Sequence, residues 1–216
     1  MKKMYLLSGP GTNEGFSDVV SKELKKDLKG VHSITFIASS PAKHEKNMSF
    51  VYGDDKITGM INHLKYFTNF EQVNIVDEEN KELDVNSDII YLLGGNYETQ
   101  LDFIKENKFD EMLKNYKGIL FCTSCGAMNA AKYGYYSKDD DVDNSFFYNG
   151  IGLTNITIDP HFDINNSVQV NEAKKMSFEH VIYGIPNSSC IKINNQKMKM
   201  IGKVYKFKSG NIIEYN

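Results

Sequence analysis

The chain has 216 residues, which is enough for one α/β domain with a sizeable core. Its apolar fraction of 41% and charged fraction of 25% are ordinary for a globular protein, and its net charge of −3 argues against a nucleic-acid partner. All 25 basic residues counted as Lys or Arg are lysines, so no guanidinium is present to hold a carboxylate or phosphate through two hydrogen bonds.

Cysteine usage and hydropathy bear on the compartment. The 3 cysteines are an odd number and do not form a disulfide framework, which favours a reducing environment. No apolar run approaches the ~20 residues of a membrane span, and the first apolar stretch is too short for the core of a signal peptide. We therefore expect a cytoplasmic protein with no membrane partner.

Strands and helices alternate through the first 131 residues. Apolar runs predict strands at 4–8, 33–38, 72–76, 88–93 and 118–122. Amphipathic patterns predict helices from Ser17 or Asp18 to about Leu28, from Asp54 or Asp55, from Tyr97 or Glu98, over 109–116 and over 126–131. Such alternation is typical of a three-layer α/β/α fold around a mostly parallel, doubly wound sheet. The acidic stretch 77–86 is predicted to be a solvated loop.

The last third of the chain has a different character. Residues 133–148 are aromatic and acidic and are predicted to form a solvated loop. A strand is predicted over 151–158, and short strands with hairpins over 181–185, 190–193, 203–208 and 212–215. No repeat or linker is visible, so residues 1–216 are predicted to form a single domain.

The stretch Thr123-Ser124-Cys125-Gly126 joins a predicted strand to a predicted helix. A tight strand-to-helix turn can aim a side-chain oxygen outward from the end of a sheet, with backbone N–H groups facing any negative charge that forms beside it. The pattern differs from Gly-x-Ser-x-Gly because Cys122 occupies the first glycine position. Ser124 is therefore either a nucleophile or a residue that caps the helix.

Two cysteines in the same stretch are rival nucleophiles. Cys122 and Cys125 form a CxxC, but no second CxxC exists and a four-thiolate zinc site is excluded. Cys125 could serve a thiol enzyme of the amidotransferase type. The position of Gly126 argues for Ser124, because in such turns the nucleophile is followed by one residue and then glycine.

A hydrolase of this kind needs a histidine that takes the proton of its nucleophile. Of the 5 histidines, His161 directly follows Asp159-Pro160 at the end of a predicted strand, where a rigid turn can hold its ring. The other four are predicted to lie beside turns, on a polar helix face or next to a strand start.

Three motifs in order resemble the serine peptidases of the dipeptidase E and cyanophycinase family. They are Gly94-Gly95-Asn96, Thr123-Ser124-Cys125-Gly126-Ala127 and Asp159-Pro160-His161-Phe162, and the ending Gly184-Ile-Pro-Asn187 is also similar. The resemblance implies a fold related to class I glutamine amidotransferases, with C-terminal β-hairpins. It also implies cleavage of short peptides, often beside an aspartyl residue, without metal or cofactor.

The resemblance also implies roles for individual residues. Ser124 would be the nucleophile, His161 the general base, and Gly95 and Cys125 the donors of the oxyanion hole. The family's spacing indicates Asp139 as the acid of the triad, with Asp140 and Asp141 as neighbouring alternatives. Asp163 would instead match the His-x-Glu of amidotransferases. Asn187 stands where the family usually has a turn that contains Glu.

We therefore expect a serine-type peptidase that hydrolyses short peptides through a Ser124–His161–Asp139 triad and an acyl-enzyme. The alternatives are a thiol enzyme that uses Cys125 and a non-catalytic member that binds a ligand in the same cleft. The expected partners are a small peptide substrate and, as an option, a second copy of the chain in a homodimer. The family's arginine for an acidic substrate group has no counterpart, and Lys174 or Lys175 could replace it only as a point charge.

Overall fold

The computed structural model describes residues 3–9, 16–54, 59–138 and 142–216. The strands in this part of the chain are β1 Lys3–Leu7, β2 Ser33–Ile37, β3 Gln72–Val76, β4 Ile89–Leu92, β5 Ile119–Thr123, β6 Tyr133–Tyr136, β7 Phe146–Asn149, β8 Thr157–Pro160, β9 Ile182–Ile185, β10 Cys190–Asn194, β11 Lys197–Ile201, β12 Val204–Lys208 and β13 Asn211–Tyr215. The helices are α1 Asp18–Asp27, α2 His44–Tyr52, α3 Met60–Leu64, α4 Tyr97–Glu106, α5 Phe109–Asn115, α6 Cys125–Ala130 and α7 Ser167–Met176.

The central sheet has the strand order β11-β10-β1-β5-β4-β2-β3. Five neighbouring strands of this sheet are mutually parallel: β1, β5, β4, β2 and β3. Strands β10 and β11 extend the sheet beyond β1 as an antiparallel edge. Parallel strands place their carboxyl ends on one edge of the sheet, where the loops that follow β4 and β5 come together. This confirms the predicted α/β fold with a mostly parallel, doubly wound sheet.

Apolar side chains cover both faces of this sheet. In β1, Tyr5 and Leu7 pack toward helices α1 to α3, while Met4 and Leu6 pack toward helices α4 to α6. Successive side chains of a strand point to opposite faces, so a strand buried on both sides needs an unbroken apolar run. The result is the predicted sandwich of helices, sheet and helices.

A second sheet has the order β13-β12-β9-β8, in which β8 and β9 are parallel and the other pairs antiparallel. Its small core contains Phe162, Tyr205 and Phe207, whose rings contact one another through Phe162. The β12–β13 hairpin confirms the hairpin predicted for the end of the chain. The carboxyl ends of β8 and β9 lie beside the carboxyl end of β1, which brings the two sheets together at one edge.

Two predictions on local structure were wrong, and two helices were not predicted. Residues 133–148, predicted to be a loop, contain a hairpin of β6 and β7. Residues 151–158, predicted to be a strand, become one only at β8. Helices α2 and α7 were not predicted, because α2 buries only Asn47 and Val51 and α7 only Ala173 among their own residues, so neither shows an apolar stripe.

All 3 cysteines of the chain are free and buried in the structure. Within the described ranges, no helix is both long enough and apolar enough to cross a lipid bilayer.

Candidate active site

The nucleophile turn lies between β5 and α6. Ser124 has φ 50° and ψ −120°, a conformation that residues with a side chain rarely adopt. The turn fits because its neighbours are small: a Cβ on Gly126 would lie 2.5 Å from the carbonyl oxygen of Leu92, and one on Gly94 would lie 3.1 Å from Cβ of Ser124. The sharp turn leaves the Ser124 side chain at the carboxyl edge of the central sheet.

His161 reaches this serine from the second sheet. It directly follows β8, has φ 56°, and places Nε2 2.9 Å from Oγ of Ser124. Two adjacent residues at the end of β1 hold both partners. The carbonyl oxygen of Leu7 accepts a hydrogen bond from the N–H of Ser124 at 2.8 Å, and Oγ of Ser8 accepts one from the N–H of His161 at 3.0 Å.

The other ring nitrogen of His161 also has a partner. Nδ1 lies 2.6 Å from Oδ1 of Asn187, which follows Pro186 in the turn after β9. An amide oxygen only accepts hydrogen bonds, so this contact requires the proton on Nδ1. Nε2 is then free to accept the hydroxyl proton of Ser124, which is the arrangement of a general base with its nucleophile.

The Gly94-Gly95-Asn96 turn follows β4 and adjoins Ser124. Oγ of Ser39 donates a hydrogen bond to the carbonyl oxygen of Gly94 at 2.6 Å, and Asn96 caps α4 by accepting from the N–H of Thr99 at 2.9 Å. Gly95 has φ 140°, and a Cβ there would overlap the Ser39 hydroxyl. Glycine is therefore required at position 95, where the backbone comes close to the Ser39 side chain.

The Cys125 side chain points away from the reactive edge. It is buried, and Sγ lies 3.6 Å from the carbonyl oxygen of Leu93 and 4.0 Å from Oε1 of Gln100. Burial raises the pKa of this thiol to about 12, so it stays protonated at neutral pH. A thiol nucleophile acts as the thiolate, which makes the Cys125 alternative chemically unfavourable.

A cavity of about 590 Å³ opens beside Ser124 and His161. Gly95 and Cys125 also border it, as do Lys138 and the start of α7. Its lining includes the polar side chains of Tyr135, Ser137 and Asp159, and Oδ2 of Asp159 has no hydrogen-bond partner among the described residues. With such polar side chains in its lining, the cavity is suited to a ligand with polar groups of its own.

Asp159 is the most perturbed of these groups. Burial raises the pKa of its carboxyl to about 8, and a hydrogen bond from the Gln169 side chain lowers it only partly. The carboxyl is therefore largely neutral at pH 7, when it can donate as well as accept a hydrogen bond.

Not every predicted acid can be placed. Asp139, Asp140 and Asp141 lie outside the described residues, so the triad acid stays a prediction. Asp163 is exposed, and its Oδ1 accepts hydrogen bonds from the backbone and side chain of Asn165. The alternative in which Asp163 takes the place of the amidotransferase acid therefore has no support from its contacts.

The order and geometry of these turns agree with a known family of peptidases. The sequence model of peptidase family S51 matches residues 4–201. The chain belongs to peptidase family S51. It is accordingly a serine peptidase, a hydrolase, as the resemblance to dipeptidase E implied.

One solved structure with a similar fold is the crystal structure of a peptidase from an acI-B1 Actinobacterium. It superposes with a TM-score of 0.63 over 100% of this chain and 94% of that chain, at 15% sequence identity. At that identity the likeness supports the fold of the S51 chain and nothing finer. No curated protein sequence matches the chain.

Several residues at the site of this S51 peptidase were not singled out as site residues from the sequence. Ser8 follows β1, Tyr135 and Ser137 come from the β6–β7 hairpin, and Asn187 follows β9, so only the folded chain brings them to one edge. Asp159 had a local signal, since it stands two residues before His161. Lys138 borders the cavity, whereas the predicted Lys174 and Lys175 are not among the lining residues described.

Replacement of the buried thiol should leave the peptidase active. Cys125→Ala keeps the backbone N–H and removes a small buried group at a stability cost of about 1 kcal/mol. We expect peptide hydrolysis and labelling of Ser124 by a fluorophosphonate at close to the wild-type rates, with Cys122→Ala as the matched buried cysteine. Loss of all hydrolysis in Cys125→Ala, with Ser124→Ala still active, would restore the thiol alternative.

The neutral carboxyl of Asp159 should show in the pH dependence of stability. With a pKa of about 8 in the folded protein and about 3.9 in the unfolded chain, Asp159 binds more protons in the folded state between these values. Its contribution to stability is thus complete below about pH 4 and is lost as pH rises toward 8.

Asp159→Asn imitates the neutral acid and removes this loss. The Tm of the variant relative to wild type should therefore rise between pH 5 and pH 8, by about 10 °C, in calorimetric scans. Asp163→Asn is the matched control at an exposed aspartate and should show no such trend. A Tm difference for Asp159→Asn that is constant over this pH range would contradict the assignment.

Proposed function

We propose that this serine peptidase hydrolyses short peptides, with Ser124 as the nucleophile and His161 as the general base. The observation that carries the proposal is the 2.9 Å contact between Nε2 of His161 and Oγ of Ser124, with the proton of the imidazole held on Nδ1. A serine hydroxyl is a weak nucleophile by itself and needs such an adjacent base.

In the first half of the reaction, Oγ of Ser124 attacks the scissile carbonyl carbon while His161 takes the hydroxyl proton. The same imidazole then gives that proton to the departing amine, and an ester to Ser124 remains. In the second half, water loses a proton to His161 and attacks the ester. The acid product leaves as the proton returns to Oγ of Ser124.

The negative charge of each tetrahedral intermediate needs fixed donors. We assign this role to the backbone N–H groups of Gly95 and Cys125, since both residues border the cavity next to Ser124; in the free protein the Gly95 N–H contacts Sγ of Cys125. Each such donor is worth about 3 kcal/mol of barrier in a comparable oxyanion hole. The Ser39 hydrogen bond to Gly94 supports the assignment because it fixes the glycine turn before any substrate binds.

The cavity favours a small, polar substrate. Its volume of about 590 Å³ lies within the range of about 300–1,000 Å³ that is usual for small-ligand sites. Its polar lining atoms fit the amide, amino and carboxyl groups of a peptide of few residues. Lys138 is the lysine among the described lining residues, and it can attract a substrate carboxylate only as a point charge.

The cellular compartment and the binding partners of the peptidase are part of the same proposal. We place the peptidase in the cytoplasm, since its 3 free, buried cysteines suit a reducing compartment. The partner that the mechanism requires is the peptide substrate, and a homodimer is an option for the state in solution.

A serine-directed probe tests the mechanism directly. A fluorophosphonate should label the wild-type protein at Ser124, as mapped by peptide mass spectrometry. Ser124→Ala should lose the label and about 10⁴-fold or more of the hydrolysis rate for a panel of dipeptides, because only binding and the oxyanion hole remain.

The matched control is Ser137→Ala, which removes a hydroxyl from the same cavity but leaves the nucleophile. It should still be labelled at Ser124. Wild-type hydrolysis by Ser124→Ala, with an unchanged circular dichroism spectrum, would rule out the proposed nucleophile.

A further inference from the structure

We infer that Asn187 is the positioning residue of the base, so that an uncharged amide holds the His161 ring where many serine hydrolases use a carboxylate. This inference rests on the proposed function, because it assumes that Ser124 and His161 act as nucleophile and base. Its basis is the 2.6 Å contact between Oδ1 of Asn187 and Nδ1 of His161.

The position of Asn187 is fixed by the backbone around it. The N–H of Ser189 donates a hydrogen bond to the carbonyl oxygen of Pro186 at 3.0 Å, which closes a turn with Asn187 in its first corner. The carbonyl oxygen of Ser188 accepts a hydrogen bond from Oγ of Ser17 at 2.6 Å, which ties the turn to the start of α1. The amide is therefore presented by a closed turn and not by a free loop.

The base and its partner are also tied to each other. Strands β8 and β9 are paired in parallel register, with Pro160 opposite Ile185, so His161 and Asn187 follow two neighbouring strand ends. The N–H of Phe162 and Oγ of Ser8 both donate hydrogen bonds to the carbonyl oxygen of Ile185. The strand pairing and these hydrogen bonds fix the distance between the backbone segments that carry His161 and Asn187.

The chemistry of an amide suits this role. Its oxygen fixes the tautomer of the ring, but it adds no negative charge to stabilise the imidazolium that forms during the reaction. Both His161 and Asn187 are exposed, and water itself solvates the imidazolium there, so the ring does not depend on a carboxylate for its charge. Orientation of the ring is the main contribution that remains.

Other ionisable groups near the ring do not replace Asn187. Within the described ranges, Ser124 and Asn187 are the side chains that hydrogen-bond to the ring nitrogens. Asp159 and Lys138 border the same cavity, and Asp163 is bonded to Asn165. Asp139 lies outside these ranges and is the rival that the experiment must test.

The test compares Asn187→Ala with Asn187→Asp. General base catalysis is worth about 10²–10⁴-fold, so loss of ring orientation in Asn187→Ala should lower kcat and the rate of fluorophosphonate labelling by about 10- to 100-fold. KM should change by less than about twofold, since the amide does not face the substrate. Asn187→Asp keeps an acceptor oxygen and should recover kcat to within about threefold of wild type, which a merely structural role would not predict.

The pH profile separates direct contact from a general effect of charge. In Asn187→Asp the new carboxylate lies against the ring, so the acidic limb of kcat/KM should move to higher pH by about one unit. Ser188→Asp places the same charge one residue further along the turn and should move this limb by less than about 0.3 unit, because exposed charges are screened.

Three results would overturn the inference. The first is wild-type kcat in Asn187→Ala. The second is an Asn187→Asp protein with wild-type Tm that is as slow as Asn187→Ala. The third is a crippling effect of Asp139→Asn together with a mild effect of Asn187→Ala, which would assign the role to Asp139. If the wild-type protein itself is not labelled at Ser124, the proposed function fails first.

Discussion

The site depends on one short segment, the end of β1, which holds the nucleophile and the base at once. Leu7 accepts the N–H of Ser124 through its carbonyl oxygen, and Ser8 accepts the N–H of His161 through its side chain. Ser124 belongs to the central sheet and His161 to the second sheet, so the two sheets must meet here for the 2.9 Å contact to form. Ser8 is fully buried, and its hydroxyl has both a donor and an acceptor partner. The distance between the two functional side chains is thus fixed by backbone packing and not by their own flexibility.

Both residues carry a conformational cost for this placement. Ser124 and His161 have φ values of 50° and 56°, in a region that residues other than glycine adopt at a cost of order 1–3 kcal/mol each. Such conformations persist only where the surroundings over-determine them. At Ser124 the backbone bond to Leu7 and the close approach of Gly126 to Leu92 do so, and at His161 the bond to Ser8 does. Strain at both residues is consistent with a site that is organised before its substrate arrives.

Sequence reasoning identified those site residues that neighbouring residues in the sequence mark. The β1-to-β5 strand pattern predicted the parallel sheet, because strands buried on both faces leave unbroken apolar runs. Gly126 and Pro160 indicated Ser124 and His161, since Gly126 stands two residues after the serine in its turn and Pro160 directly precedes the histidine. Asn187 stands 26 residues from His161, and no periodicity connects the two. The β6–β7 hairpin was also missed, since its aromatic residues pack into two different clusters, Tyr136 and Tyr148 in one and Tyr135 and Phe147 in the other, and neither cluster is visible from the sequence.

Burial divides the polar groups of the site into two kinds. Asp159 lies in the protein interior, where a charge is costly, and its raised pKa of about 8 means that it avoids this cost by staying neutral. His161 and Asn187 lie at the exposed rim, where water can solvate a transient imidazolium. A carboxylate would stabilise an imidazolium most strongly in the interior, but its burial is also most costly there. At the exposed rim, where this chain has Asn187, water already solvates the imidazolium and a carboxylate is least needed. The rim needs a group that fixes the direction of the Nδ1 proton, and Oδ1 of Asn187 supplies that with no charge to desolvate when a peptide covers the site.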